Sequence, residues 1–281
     1  MMKIDFEDRL KHSLDRLPDG KVKEAALYSL LSGGKRFRAR LLFSALDAYR
    51  ISQEKGVSSA IAVEMIHTYS LIHDDLPAMD DDTLRRGVPT CHIKYGEDIA
   101  ILAGDALLTE AFWYANNACE NIQSTHVMVE EVIKAAGLGG MIYGQELDMA
   151  NNDGESTIEK LWEINKHKTG KLITLPFIAA CIVADRQGDK DVWEKVGTNV
   201  GVIFQIQDDL LDIYATKEEL GKNPNSDAKN NKVTYASLLG SERCNEIISE
   251  LMEETIGLLD TLMIDKYPLI EELERLLERK Y

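Results

Sequence analysis

The chain has 281 residues, of which 44% are hydrophobic, and this is enough apolar material for one helical bundle with a wide core. Its 48 acidic residues outnumber its 32 basic ones, and the formal net charge of −16 argues against binding to nucleic acid or to an anionic membrane surface. A phosphate-rich ligand would need a local cluster of Lys and Arg, or metal ions held on carboxylates.

The four cysteines are widely spaced and form no C-x-x-C pair, which argues against a thiolate metal site and is typical of a reducing cytosol. Residues 1–17 mix charged with apolar side chains, so we expect no secretory signal there. The longest apolar run, 172–184, is shorter than the roughly 20 residues of a membrane span. We therefore expect a soluble, cytoplasmic protein without a membrane span.

Helical spacing of apolar residues dominates the chain, and alternating strand patterns are hard to find. Residues 58–75 are apolar almost all round, which predicts a helix deep in the core. Similar spacing predicts helices over 97–118, 127–150, 158–184, 191–214 and 244–263, and a charged surface helix over 269–281. Gly, Pro and Asn collect at the breaks at 18–20, 150–156, 185–189 and 221–232. The fold class expected is all-α, a single antiparallel bundle forming one domain over 1–281.

A cluster of five aspartates lies at the end of the predicted core helix. Its members are Asp74, Asp75, Asp80, Asp81 and Asp82. A charge run is ordinarily a solvated helix end. Here it follows an apolar helix, on which clustered carboxylates repel one another unless a cation compensates them. Arg85 and Arg86 follow at a distance suited to holding an anion that such cations would bridge.

A second carboxylate cluster comprises Asp208, Asp209 and Asp212. Asp208 and Asp212 are four residues apart and share a helix face among apolar residues, a spacing that destabilises a bare helix. Divalent cations explain both clusters, because Mg²⁺ takes one or two carboxylates and completes its shell with water and phosphate oxygens. Two such helices facing each other would form a cage for a diphosphate.

The string Gly33-Gly34-Lys35-Arg36-Phe37-Arg38 supplies fixed positive charge for a second diphosphate bound without metal. Alone it would be only a basic turn. His67 lies seven residues before Asp74, nearly two helical turns, so the two side chains point the same way. A lone His on an apolar helix is more often a satisfied core residue.

Seven motifs occur together in one order: GGKRFR (33–38), EMIHTYSLIHDDLPAMDDDTLRRG (64–87), LAGDALL (102–108), GQELD (144–148), KTG (168–170), FQIQDDLLD (204–212) and NKVTY (231–235). From Gly33 to about Leu239 the chain resembles the trans-prenyltransferases of the isoprenyl diphosphate synthase (polyprenyl synthetase) family, with bacterial farnesyl diphosphate synthases as the nearest branch. The resemblance implies the isoprenoid synthase fold with a central active-site cavity, and a homodimer. It also implies Mg²⁺-dependent condensation of isopentenyl diphosphate with dimethylallyl and geranyl diphosphate.

The resemblance also implies a role for each site residue. The Mg²⁺ ions, expected to number about three per active site, would be ligated by Asp74, Asp80 and Asp208. The residues expected to support these ligands through water are Asp75, Asp209 and Asp212, with Gln145 and Asp148. The allylic diphosphate would be gripped by Arg85, Lys168 and Lys232, with contacts from Thr169, Gln205 and Lys222. Isopentenyl diphosphate would be held by Lys35, Arg38, His67 and Arg86.

The spacing within the first cluster leaves one ligand open. Asp74 and Asp80 are separated by about 240° on a straight helix, whereas Asp81 would share the face of Asp74. Pro77 predicts a bulge or a helix end between them. The family carries a two-residue insertion here that lets the later Asp act, which favours Asp80, and Asp81 stays the alternative.

Tyr69 precedes Asp74 by five residues, about 7.5 Å along the helix axis, and its side chain leans toward the N-terminus. In the family, an aromatic residue there, combined with the insertion in the first motif, accompanies a fifteen-carbon product, so Tyr69 is expected to form the floor of the hydrocarbon tunnel. The alternative is a Tyr that only packs in the core. Asn231, where the family usually has Gly, and the Gly-poor segment 223–226 bear on closure of the predicted lid 221–232.

The motifs argue against three other functions. A terpene cyclase would not need GGKRFR, and its second motif usually differs from D-D-x-x-D. A di-iron bundle uses Glu-x-x-His on two helices, and Glu64 with His67 is the one copy in the sequence. A non-catalytic prenyltransferase subunit would tend to have damaged aspartate motifs, and both are intact. Within the enzymes, a geranylgeranyl diphosphate synthase is the alternative product class.

Overall fold

A computed structural model describes residues 2, 4–151, 157–214 and 233–278, with backbone only at 213 and 214. Its longer elements are thirteen α-helices in the part of the chain so described: α1 (Phe6–Lys11), α2 (Lys21–Leu31), α3 (Phe37–Ala48), α4 (Val57–Asp74), α5 (Cys91–Tyr95), α6 (Glu97–Asn116), α7 (Ile122–Ala136), α8 (Met141–Ala150), α9 (Ile158–Asn165), α10 (Lys171–Val183), α11 (Lys190–Tyr214), α12 (Tyr235–Leu259) and α13 (Tyr267–Leu277). A π-helical turn, Lys166–Gly170, joins α9 to α10, and short 3₁₀ turns, Gln53–Gly56 and Gln187–Asp189, precede α4 and α11. The prediction of an all-α protein is confirmed.

The strands found among the described residues form a small antiparallel hairpin between α4 and α5. Its strands are β1 (Leu84–Arg85) and β2 (Val88–Pro89), and Arg85 pairs with Val88. Arg86 and Gly87, at the turn, both have positive φ. The hairpin therefore carries the two arginines that follow the first aspartate cluster.

The core is built around α4 and α10, which are both apolar nearly all round. The predicted helix over 58–75 is α4, displaced by one residue, with buried side chains on every face. It packs mainly on α6, and α10 packs on α3, α7 and α11. No helix among the described residues is long and apolar enough to cross a membrane.

Two of the predicted helices have the wrong bounds. The one expected over 127–150 is two helices, α7 and α8, separated by 137–140. A Cβ at Gly140 would lie 2.2 Å from the Ala135 carbonyl oxygen, so the tight turn between them requires glycine there. The helix expected over 244–263 is the longer part of α12, which begins at Tyr235 after a capping box of Thr234 and Ser237, is interrupted by the non-helical backbone of Gly240 (φ 77°) and ends at Leu259.

The surface helix expected at the C-terminal end is α13, and its apolar stripe lies against the body of the protein. Leu269, Leu273 and Leu276 are buried there, and α13 packs on α3. The continuous helix expected over 158–184 is helical along its length, although its middle is the π turn. A single domain over 1–281 stays a prediction.

Candidate active site

The first aspartate cluster lies where α4 ends and the backbone folds back on itself. The Asp80 N–H donates to the Asp74 carbonyl oxygen at 2.9 Å, and the Asp81 N–H donates to that of Leu76 at 3.2 Å. Because the backbone turns back here, Asp80 lies beside Asp74, although the two residues would not share a face of a straight helix. Asp81 has a φ of 51°, in the left-handed region. The geometry therefore favours Asp80 as the partner of Asp74.

Asp74 is half-buried among other charges. Burial raises the pKa of the Asp74 carboxyl to about 6, Lys168 and Arg85 oppose the shift, and Asp80 and Asp75 add to it. Negative charge here is thus only partly compensated by the nearby cations. The nearness of Lys168 also links the first cluster to the π turn.

Asp75 pairs with Arg85. Its buried carboxylate accepts a hydrogen bond from Arg85 Nε at 2.7 Å, and Arg85 Nη2 lies 2.6 Å from the same oxygen, Oδ1. Arg85 Nη2 also lies 3.4 Å from Asp82. Arg85 lies in β1 of the hairpin. Its contact with Asp75 therefore fixes the hairpin against the end of α4.

The second cluster lies in the last turns of α11. Asp208 is half-buried, whereas Asp209 and Asp212 are buried. The Asp209 carboxylate accepts the Tyr235 N–H at 2.8 Å and Gln205 Nε2 at 3.0 Å. Asp209 therefore ties α11 to the first residue of α12.

The π turn presents Lys168 and Thr169 between the two clusters. Lys168 Nζ donates to Asp148 of α8 at 2.6 Å, and Thr169 Oγ1 donates to Gln205 Oε1 of α11 at 3.4 Å. A Cβ at Gly144 would lie 2.0 Å from the Lys168 backbone nitrogen. The glycine of the GQELD motif is thus required for α8 to approach the turn.

A cavity of about 140 Å³ lies beside Lys168. Its polar lining comprises Asp148, Asn165, Lys168, Thr169, Gln205, Asp209, Thr234 and Tyr235. Asn165 was missed by the sequence analysis, because an Asn inside a helix carries no signal of its own. Gln145, a predicted support residue, lies on α8 one turn before Asp148, and the cavity lining does not include it.

A second group of charges surrounds the loop before α3. Arg86 Nη1 donates to the Gly33 carbonyl oxygen at 2.5 Å. Gly33 and Gly34 have φ of 90° and 109°, and a Cβ at Gly34 would lie 2.7 Å from the Arg86 guanidinium carbon. The two glycines therefore allow both the turn and the approach of Arg86.

His67 lies within electrostatic reach of this group. Burial and the guanidinium groups of Arg38 and Arg86 hold the pKa of His67 well below its usual range. Arg38 is buried, whereas Lys35 is exposed on the loop. The structure thus brings Arg38, His67 and Arg86 together, as predicted for the pocket of a second anion.

Tyr69 is buried one turn before His73 on α4. The two rings are in edge contact, with centroids 5.8 Å apart, and the Tyr69 hydroxyl has no hydrogen-bond partner among the described residues. Burial, with a smaller effect of Asp74, raises the pKa of Tyr69 to about 12. His73 in turn packs on Gly104 of α6, where a Cβ would lie 2.1 Å from Nε2. The ring therefore lies in the core, on the N-terminal side of the first cluster along α4. Its role as a tunnel floor stays a prediction.

The donors present fit Mg²⁺, because Asp74, Asp80 and Asp208 offer hard carboxylate oxygens. Burial and the neighbouring Asp80 and Asp75 disfavour the charged form of the Asp74 carboxyl, and a bound cation would offset this. Among the described residues, no three acidic, His or Cys side chains already converge as a metal-binding group. In proteins, Mg²⁺ held by one or two carboxylates completes its shell with water and phosphate oxygens.

Several predicted residues lie outside the described part of the chain. They are Lys222, Asn231 and Lys232, with the segment 223–226 and the rest of the predicted lid 221–232. Their roles stay predictions.

Comparison with known proteins places these motifs and this fold in a family. The polyprenyl synthetase family model matches residues 19–267. A farnesyl diphosphate synthase of Bacillus subtilis is 42% identical over 91% of this chain and 87% of that protein. A geranylgeranyl diphosphate synthase of Cyanophora paradoxa is 39% identical over 88% of this chain and 84% of that protein.

The fold is shared with solved structures as well. A geranyltransferase from Helicobacter pylori, solved in complex with magnesium and isoprenyl diphosphate, superposes with a TM-score of 0.82 at 32% identity, over 99% of this chain and 98% of that one. The chain is similar to these proteins in sequence and in its all-α fold, and it carries both aspartate clusters and the basic loop, residues 33–36 before α3. This chain belongs to the polyprenyl synthetase family.

Proposed function

We propose that this chain is a Mg²⁺-dependent prenyltransferase that joins isopentenyl diphosphate to allylic diphosphates and gives mainly farnesyl diphosphate. One observation carries the proposal: Arg85 is a charged neighbour of both Asp74 and His67, so a carboxylate cluster and a basic cluster lie side by side. Asp74, Asp80 and Lys168 suit a diphosphate bridged by metal, whereas Arg38 and Arg86 suit one bound directly. A condensation of two diphosphates needs both.

In the reaction, bound Mg²⁺ would supply Lewis-acid stabilisation to the allylic diphosphate, held by Asp74, Asp80 and Asp208. Arg85 and Lys168 stabilise the negative charge that develops on this diphosphate as the allylic C–O bond breaks. The double bond of isopentenyl diphosphate, held by Arg38, His67 and Arg86, attacks the allylic cation. A proton is then lost to the departing diphosphate, so no protein base is needed, and the double bond itself is the nucleophile.

The product length proposed rests on Tyr69, whose buried ring below the first cluster would stop a chain at fifteen carbons. The second candidate is a geranylgeranyl diphosphate synthase, because a relative of that name is 39% identical. A non-catalytic subunit is disfavoured by the intact aspartate clusters.

We propose that the enzyme acts as a homodimer through an apolar face on α6 and α7. Leu102 and Trp113 lie eleven residues apart on α6 and share one face, as Ile122 and Ile133 do on α7. All four are exposed. Neighbouring exposed apolar stripes of this kind are typical of a protein–protein interface.

The proposed function is tested by incubating the protein with Mg²⁺, isopentenyl diphosphate and, separately, five-, ten- and fifteen-carbon allylic diphosphates. We expect a dominant fifteen-carbon product from the first two starters and little elongation of the third. A product of twenty carbons would support the geranylgeranyl alternative. No elongation of any starter would contradict the prenyltransferase and favour a non-catalytic subunit.

A further inference from the structure

Arg36 is the last residue of the loop before α3, at its N-cap, yet its side chain is buried. Its Nε donates to Glu7 Oε1 of α1 at 2.7 Å, and its Nη2 donates to Glu7 Oε2 at 3.0 Å and to the Leu30 carbonyl oxygen of α2 at 2.8 Å. Its Nη1 lies 3.6 Å from Glu64 Oε2 of α4. One guanidinium thus joins the loop to three helices.

Glu64 contacts the loop at a second point. Its side chain is buried, and its Oε1 accepts the N–H of Ala39, in the first turn of α3, at 3.3 Å. It also lies within electrostatic reach of Arg86. The Glu64-x-x-His67 pair therefore faces the loop, and Glu64 stabilises the start of α3 beside the pocket that contains His67.

The local backbone shows why the loop needs this contact. Arg36 has a φ of 47°, in the left-handed region, which is unfavourable for a residue with a Cβ. Burial of its guanidinium is also unfavourable, and the hydrogen bonds to Glu7 with the charge of Glu64 offset it. Lys35 directly precedes Arg36, and Arg38 follows it by two residues. The position of Arg36 therefore sets the directions of the Lys35 and Arg38 side chains.

We propose that Arg36 and Glu64 are positioning residues for the isopentenyl diphosphate pocket, holding Lys35, Arg38 and Arg86 ready for the anion while contacting none of it themselves. The identity of the anion rests on the proposed function, whereas the positioning rests on the contacts of the loop.

The test uses the double variant Arg36→Gln with Glu64→Gln, which removes one positive and one negative charge. The net charge near the pocket is unchanged, so a change in anion affinity reports geometry. A matched control lies on α3, the helix that begins directly after Arg36. Arg40 pairs with the buried Glu272 of α13, Nε to Oε1 at 2.8 Å and Nη2 to Oε2 at 2.9 Å. The control variant is Arg40→Gln with Glu272→Gln.

Four constants are measured: the Kd of isopentenyl diphosphate by calorimetry in EDTA, and kcat with the KM of each of the two substrates in Mg²⁺. For the Arg36/Glu64 variant we expect the Kd and KM of isopentenyl diphosphate to rise about tenfold, the size of one charge-assisted hydrogen bond. The kcat and the allylic KM should change less than about twofold. The Arg40/Glu272 variant should lose comparable thermal stability and keep all four constants.

An unchanged Kd in the Arg36/Glu64 variant, or an equal rise in the control, would overturn the positioning proposal, as would a wild type that binds no isopentenyl diphosphate in EDTA. If the wild type binds it and the variant does not, but no elongation occurs, the proposed function fails and the positioning stands. Should the double variant not fold, Arg36→Lys keeps the charge but cannot reach Glu7 and Leu30 together, and the same rise in Kd is expected.

Discussion

At the scale of single residues, Asp80 shows how a backbone return replaces helical periodicity. The hydrogen bond from the Asp80 N–H to the Asp74 carbonyl oxygen places the two residues side by side, although a straight helix would turn them apart. The sequence predicted the break, through Pro77, but left two candidates. The return itself depends on contacts of the turn that no spacing rule contains.

We expect Asp80→Asn to lower kcat by about a hundredfold, because it removes a carboxylate from the proposed metal site. Asp81→Asn is the matched control: Asn is tolerated in the left-handed region, so the change adds no backbone strain at Asp81. The kcat of Asp81→Asn should stay within about tenfold of the wild-type value. The two variants are compared by steady-state rates over a Mg²⁺ titration, and a larger loss from Asp81→Asn would make Asp81 the ligand.

We expect Tyr69→Ala to lengthen the product beyond fifteen carbons, because it removes the ring below the first cluster. Tyr69→Phe keeps the ring and removes only a hydroxyl without a partner among the described residues, so it should leave product length unchanged. Chromatography of the products from geranyl diphosphate gives the comparison. If both variants stop at the wild-type length, Tyr69 only packs in the core.

At the scale of helices, the active site depends on the π turn that holds Lys168 and Thr169. π turns inside helices often lie at functional sites, and this one stands where α8 packs most closely. The sequence predicted the helix over 158–184 and the KTG motif, but not the turn, because it arises from tertiary packing. The break at 137–140 was missed for a different reason: glycines inside an apolar helical pattern are tolerated often enough to hide a turn.

We expect Gly144→Ala to lower the free energy of unfolding by about 2 kcal/mol, the cost of overpacking, and to lower kcat through displacement of Lys168. A Cβ at Gly144 would lie 2.0 Å from the Lys168 nitrogen, whereas one at Gly139 would meet nothing within 4 Å. Gly139→Ala is therefore the control and should leave both quantities unchanged. Urea unfolding and turnover are measured together, and equal behaviour of the two variants would refute the role of the close approach.

At the scale of the whole molecule, the fold class and most helices could be predicted because α4, α10 and α11 carry long apolar patterns. The aspartates, Arg85 and Lys168 could be predicted because their chemistry is distinctive in its order along the chain. The partners of Arg36 could not, since its ion pairs with Glu7 and Glu64 join residues far apart in sequence. The missed residues are thus those that support the site from neighbouring elements.

We expect Ile133→Glu to convert a dimer to a monomer, because it places a charge in the apolar face of α6 and α7. Met263→Glu, at a residue 84% exposed on the turn after α12, is the control and should leave the dimer intact. Sedimentation equilibrium measures the mass of each. A monomeric wild type, or a dimeric Ile133→Glu, would contradict the proposed interface.

The central claim is that the two aspartate clusters act on one allylic diphosphate in a condensation. The most direct test follows isopentenyl diphosphate consumed and inorganic diphosphate released, with Mg²⁺ and geranyl diphosphate, in the wild type, Asp74→Ala and Asp208→Ala. We predict equal consumption and release in the wild type, and almost no turnover in either variant although circular dichroism shows both folded. Near-normal turnover in either variant with Mg²⁺ would contradict the account.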